Sequence, residues 1–262
     1  SAAGTVVGRV TTEQPHGDPG IYQIENVQLD PQLVLNADDH FQDENAAAPV
    51  ILIEYMSLQC PSCAAIHPTV QQLEANFDGD LVVVKRHLPL AFQNSFEAAL
   101  ASEAAGRQDK FEAMVTLLFD RQTEWGTLSD PRPTFAGYAS DLGLDATQFL
   151  SDMDDQALTD RINRDIDSAA VLGITSTPAF GVNGRPIPTP VSLAAFTDVI
   201  QAELDDFEDA FVVNRRTGDL IVHNPGELDF ETNPIFLLNV LASDADGFME
   251  TILTRIDVNE GP

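Results

Sequence analysis

Cys60 and Cys63 are the only cysteines among 262 residues, set in the run Cys60-Pro61-Ser62-Cys63. That spacing allows two chemistries. The pair can close and open a disulfide, or it can form half of a metal site. Structural zinc takes four ligands as a rule. The nearest further candidate is His67, four residues on, and the chain has no second CxxC. The stretch ahead, Ile51-Leu52-Ile53-Glu54-Tyr55-Met56, is apolar and favours β structure. Behind it, Ala65, Ile66, Val70, Leu73 and Phe77 fall at helical spacings. The motif therefore stands where a strand ends and a helix begins. Free N–H groups and the partial positive charge there favour an anion. Cys60 is thus expected partly as thiolate, the form that attacks disulfides. Cys63, one turn on, can reach back to it.

The remaining chain supplies the scaffold. Forty-two acidic residues face 13 basic ones, a net charge of −29. Phosphate would be repelled, which argues against nucleic acid. Such a surface permits cation binding, calcium above all, and for most of these carboxylates a solubilising role is expected. No apolar run is long enough to span a bilayer. The chain opens at Ser1-Ala2-Ala3-Gly4 without Met, which reads as a mature or excised piece.

Residues 1–25 read as β, with a turn-rich Gln14–Gly20 before Ile21–Ile24. A polar, Ala-rich linker runs from Asp43 to Pro49. Residues 50–90 read β-α-β, and the unbroken apolar run of Leu81–His87 suggests a parallel strand buried on both faces. Helices are expected over Ser95–Arg107, Lys110–Arg121, Thr134–Asp141, Ala146–Met153 and Asp155–Leu172. Gly143 and Gly173 read as helix stops, Asp109 and Asp145 as starts. Asn183-Gly184 signals a hairpin, and Ser192 opens a last helix to Leu204. Residues 210–262 return to β. The order predicts a β domain split by an inserted α/β domain: residues 1–25 and 208–262 form the β part, and 26–207 the insert.

Over residues 45–206 the chain resembles the thioredoxin superfamily, most closely its disulfide-bond oxidoreductase (DsbA) branch. The resemblance is carried by strand-CxxC-helix, by Thr177-Pro178 followed by Ala179–Gly184, and by the helical block between them. It implies a thioredoxin fold with a helical insertion. It also implies a cis Thr177–Pro178 peptide beside the CxxC, with Thr177 and Pro178 offering backbone to an extended substrate segment. Pro61 and Ser62 form the inner dipeptide that tunes redox potential. Strongly oxidising members carry His at the second inner position; Ser62 here cannot carry charge. The potential is left open over a span of about 150 mV. Glu54 takes the place of a buried family acid, with a raised pKa and a role as proton acceptor for Cys63. The exposed Cys60 sulfur would receive substrate. His67 reads as a packing or surface residue, His87 as a structural residue ending its strand, and Pro68 as a kink.

The flanks resemble a cadherin repeat, a Greek-key β-sandwich. The C-terminal part carries Phe211-x-Val213-Asn214, Thr217-Gly218-x-Leu220, Leu228-Asp229-Phe230-Glu231, Phe236–Asp244 and Asp257–Glu260. The N-terminal part carries Gly4–Val10 and Tyr22-x-Ile24. The resemblance implies seven strands and calcium ligands at Asp229, Glu231, Asp244, Asp257, Asn259 and Glu260. Glu13, Pro15 and His16 stand where the family's Asp-x-Asp motif is degenerate here, and Arg255 stands at a usually apolar strand position.

The implied function is that of an extracytoplasmic (periplasmic, cell-surface or secreted) protein thiol–disulfide oxidoreductase, oxidase or isomerase ahead of reductase. Its redox group is the Cys60/Cys63 disulfide itself, with no other redox cofactor. Its partners would be cysteine-containing proteins, a redox partner and adjacent cadherin-like repeats of a larger chain. The competing reading is a calcium-dependent adhesion or binding module whose insert does no catalysis.

Overall fold

A computed structural model describes residues 6–9, 21–24, 35–36, 38–41, 45–90, 92–205, 211–214, 219–222, 235–243 and 249–257. In chain order its elements begin with β1 (Val6–Arg9), β2 (Ile21–Ile24), β3 (Val50–Met56), α1 (Pro61–Asn76) and β4 (Leu81–His87). Six helices follow: α2 (Ser95–Gly106), α3 (Phe111–Asp120), α4 (Gln122–Trp125), α5 (Arg132–Asp141), α6 (Ala146–Asp152) and α7 (Gln156–Val171). Then come β5 (Ala179–Val182), β6 (Arg185–Ile187) and α8 (Leu193–Asp205). The last strands are β7 (Phe211–Val213), β8 (Asp219–Val222), β9 (Ile235–Ser243) and β10 (Met249–Asp257).

The central sheet has the order β4-β3-β5-β6. β3 pairs with β4 in parallel through the crossover helix α1, and with β5 antiparallel. Both parallel strands are buried at every position, as their continuous apolar sequences require. Alternation along β3 divides its side chains between two layers. Val50 and Leu52 pack with Val70 and Leu73 of α1 and with Phe196 and Ile200 of α8. Ile51, Ile53 and Tyr55 face the other way, toward Ala169 of α7 and Leu35. A third cluster fills the helical insertion around Trp125, Phe135 and Phe149 and extends to Met56, Leu58, Cys60 and Cys63. The fold is a thioredoxin sheet with a helical insertion between β4 and β5.

Local signals work as physical chemistry predicts. Asn183 and Gly184 both take positive φ, 43° and 74°, the backbone of a tight β5–β6 turn. Gly143 and Gly173 stop their helices at φ 77° and 69°. Asp145 caps α6 by accepting from the Thr147 and Gln148 N–H groups. Asp109 does not start α3. It sits at φ 59° in the turn that ends α2, where Lys110 N–H donates to Ala105 carbonyl oxygen, and Lys110 precedes α3 instead. α5 begins at Arg132 rather than Thr134, since a proline in the first helical turn loses no hydrogen bond. α1 continues through Pro68.

The flanking strands pair across the insertion. β1 joins β8, which joins β7; β2 joins β9, which joins β10; all pairs are antiparallel. Among the described residues this makes two three-stranded sheets. The expected calcium ligands Asp229, Glu231, Asp244, Asn259 and Glu260 lie outside the described residues, and of Asp257 only its place at the end of β10 is described. The same holds for Glu13, Pro15 and His16.

Candidate active site

Cys60 is the cap residue of α1, with extended backbone (φ −81°, ψ 122°) and Pro61 opening the helix behind it. Proline suits that position because its missing N–H would have no partner there. Pro61 and Ser62 are exposed, and Thr177 and Pro178 are half-buried. The Thr177–Pro178 peptide is cis. The Cys60 thiol donates to the Thr177 carbonyl oxygen at 3.5 Å, so the loop before β5 lies against the CxxC. The sheet brings this about, because β3 ends beside the start of β5, with Tyr55 opposite Ala179.

The two sulfurs, both free thiols, differ in access and in acidity. Cys60 is 7% exposed and Cys63 is sealed at 0%. The Cys60 sulfur is therefore recessed rather than exposed, which corrects the sequence expectation, yet it is the reachable one of the two. Burial pushes the Cys60 thiol up. The Thr177 side chain and the donors of Cys63 and Ser62 outweigh it, so Cys60 lies below the usual thiol range. The Thr177 hydroxyl is buried and makes no hydrogen bond of good geometry in the thiol form, so its proton is available to a thiolate. Burial drives Cys63 far up, and the nearby Glu54 and Cys60 add to the rise. Cys63 cannot ionise at neutral pH without a base.

Glu54 places a carboxyl near Cys63. It alternates with Val50 and Leu52 along β3, so it faces α1 beneath Cys63. It is 1% exposed, and neither carboxyl oxygen has a hydrogen-bond partner. Burial raises its pKa to about 7; Lys85 opposes the rise and Glu112 adds to it. Lys85, fully buried on β4, donates to Glu112 at the start of α3 at 2.8 Å. Neither Lys85 nor Glu112 carries a site signal in the sequence, because they meet only through the tertiary fold.

Other residues hold the motif from outside. Gln122 Nε2 donates to the carbonyl oxygens of Leu58 and Cys60 at 2.7 and 3.1 Å. Gln59 donates to the Gly126 carbonyl and accepts from the Asn94 N–H. These ties fix the CxxC loop to the helical insertion and carry no pattern readable along the chain. His67 is a packing residue: 2% exposed, paired with the Thr116 hydroxyl and tilted against Phe119. Burial lowers its pKa to about 4, so it is neutral near pH 7. His87 is buried too, against Glu103. Among the described residues no group of three or more His, Cys, Asp or Glu could hold a metal ion. No described helix is long and apolar enough to cross a membrane.

Comparison with known proteins agrees with this geometry. A family model described as thioredoxin matches residues 44–202. The structure is similar to alpha-DsbA1 of Wolbachia pipientis, with a TM-score of 0.60 and 25% identity over 68% of this chain and 96% of that one. It is also similar to a thioredoxin-like oxidoreductase from Silicibacter pomeroyi, with a TM-score of 0.57 and 26% identity over 66% of this chain and 96% of that one. BdbD of Bacillus subtilis shares the fold at 22% identity and a TM-score of 0.55, covering 72% of this chain and 100% of that one. Among curated proteins, the Na+/H+ antiporter NhaA of Herminiimonas arsenicoxydans is 34% identical over 66% of this chain and 26% of its own length. The chain thus spans about a quarter of the curated relatives it matches. With the matched model covering more than half of its length, the chain belongs to the thioredoxin family.

Proposed function

We propose that this protein is a thiol–disulfide oxidoreductase acting on cysteine-containing proteins outside the cytoplasm. The observation that carries the reading is the asymmetry of the two sulfurs. Cys60 is reachable, acidified by the Thr177 side chain and by the donors of Cys63 and Ser62, and set against the Thr177–Pro178 loop; Cys63 is sealed above a carboxyl that titrates at about 7. The oxidoreductase neighbours support the same reading.

From the disulfide form, a substrate thiolate attacks Cys60 Sγ and the Cys60–Cys63 bond breaks. Cys63 leaves with the electron pair and takes a proton from the Glu54 carboxyl. A second substrate thiolate then attacks the substrate sulfur of the mixed disulfide, and Cys60 leaves as a thiolate held by the helix N-terminus. The substrate dithiol has lost two electrons to the enzyme. Regeneration by a redox partner runs the sequence backwards, with the Glu54 carboxylate drawing the proton from Cys63. Exposed Pro61 and Ser62 and the backbone of Thr177 and Pro178 would flank the bound segment.

The pairing of both flanks supports a β domain over residues 1–25 and 208–262, split by the redox unit over 26–207. Its cadherin-like class and its calcium ligands rest on the sequence resemblance. Calorimetric titration with calcium tests them, and a flat titration removes calcium from the reading. For the redox function, Cys63→Ala should accumulate a mixed disulfide through Cys60 with a thiol-bearing protein, and Cys60→Ser should abolish turnover. Turnover unchanged in Cys60→Ser would leave the binding-module reading.

A further inference from the structure

Glu54 and Lys85 are direct partners in the parallel register of β3 and β4. Neighbouring strands lie about 4.8 Å apart, and both side chains emerge on the face that meets α1. A buried acid and a buried base so placed would ordinarily join. They do not. The Lys85 ammonium donates to Glu112 Oε1 of α3 at 2.8 Å, while both Glu54 oxygens have no hydrogen-bond partner. The Lys85 side chain has no exposure, whereas that of Glu112 is 38% exposed. Glu112 therefore competes for a cation that the strand register offers to Glu54, and it does so from the surface.

We propose that Glu112 is a positioning residue for the redox reaction. By holding Lys85 away from Glu54 it sets the pH at which Glu54 exchanges a proton with Cys63. The inference rests on the role given to Glu54 above. The other charged or titratable groups around this pocket are Cys60 at the cap of α1, Cys63, His67 and Glu74 on α1, and Asp120 on α3. None of them is a hydrogen-bond partner of Glu54. Without Glu112, Lys85 is free to turn to its strand neighbour, and an opposite charge within reach lowers a carboxyl's pKa by one unit or more.

The test is the pH dependence of the resolving step. A preformed mixed disulfide between Cys60 and glutathione is followed in single turnover as Cys63 expels glutathione, with the protonated Glu54 carboxyl tracked in parallel by infrared difference spectroscopy. In Glu112→Gln the midpoint of the rising limb and the loss of the carboxyl band should both move down by about one pH unit or more. Glu112→Asp should restore part of the shift. Lys85→Met, which removes the cation altogether, should move the midpoint the opposite way. Fixed midpoints in Glu112→Gln, or in Lys85→Met should Glu112→Gln not fold, overturn the inference. Glu54→Gln separates the two claims. Loss of the limb in Glu54→Gln with no shift in Glu112→Gln defeats only the role of Glu112. A limb that persists in Glu54→Gln defeats the role of Glu54 itself.

Discussion

Two buried charge clusters flank the central sheet, and they are built on opposite terms. In one, Asp39 accepts from Arg86 at 2.7 Å, while Glu103 accepts from His40 and His87 at 2.9 Å and forms an ion pair with Arg161 at 2.8 Å. Burial would raise both acids, but the cations around them win. Asp39 lies below and Glu103 well below the usual carboxylate range. Asp165 in the same cluster accepts from the His87 N–H and from Arg161, yet burial dominates and raises it. On the α1 side, Glu54 is equally buried but lacks a hydrogen bond and is raised to about 7. Satisfied carboxylates bind the insertion to the sheet. An unsatisfied one can change its protonation state, and it lies under Cys63. What separates Glu54 from Asp39 and Glu103 is the partner, since all three are buried carboxylates.

The two acids should respond oppositely to substitution and to pH. The largest effect is expected at Glu103. Glu103→Gln removes the shortest of the carboxylate contacts to buried Arg161 and the charge that faces His40 and His87, and it should cost about 3 kcal/mol in denaturant unfolding. Its contribution is present above the unfolded pKa and lost as pH falls toward the depressed folded value. Below the unfolding midpoint, alkylation of Cys60 should keep its pH profile in this variant; a displaced profile would show that the clusters are coupled.

Glu54→Leu should do the reverse. The folded pKa, about 7, exceeds the unfolded value of 4.5, so the folded state binds the proton more tightly. The stability this confers is complete below pH 4.5 and is lost as pH rises through 7. Removing the carboxyl should therefore stabilise the protein at pH 8 by roughly 3 kcal/mol relative to its effect at low pH. Equal effects at both pH values would mean that Glu54 is paired after all. The smallest change is expected at the exposed Arg121–Asp141 pair, 3.5 Å apart. Asp141→Asn should cost less than about 1 kcal/mol and nothing at high salt.

Much of the site was legible in the chain because its determinants are local. The strand before Cys60, the proline at the start of α1, the Asn183-Gly184 turn and the glycine stops each act within a few residues. Asp109 misled for the same reason: its side chain suits a helix start, but the backbone there is left-handed and closes α2. The ties that position the site were not legible. Lys85 and Glu112 are 27 residues apart, and Gln122 reaches back 62 residues to the Cys60 carbonyl. The acidic excess suggested a solvated surface, yet Asp39, Glu54, Glu103, Asp152 and Asp165 are buried. Charge counting cannot tell which carboxylates have a cation waiting in the fold.

The strand pairing across the insertion has a mechanical consequence. β1 holds β8 and β2 holds β9, so the chain closes upon itself on either side of the insertion. Tension applied at the two ends is borne first by those interstrand hydrogen bonds. The inserted domain hangs from this clasp as an unloaded loop, and a stretched molecule would keep its two sulfurs in register until the clasp itself gave way.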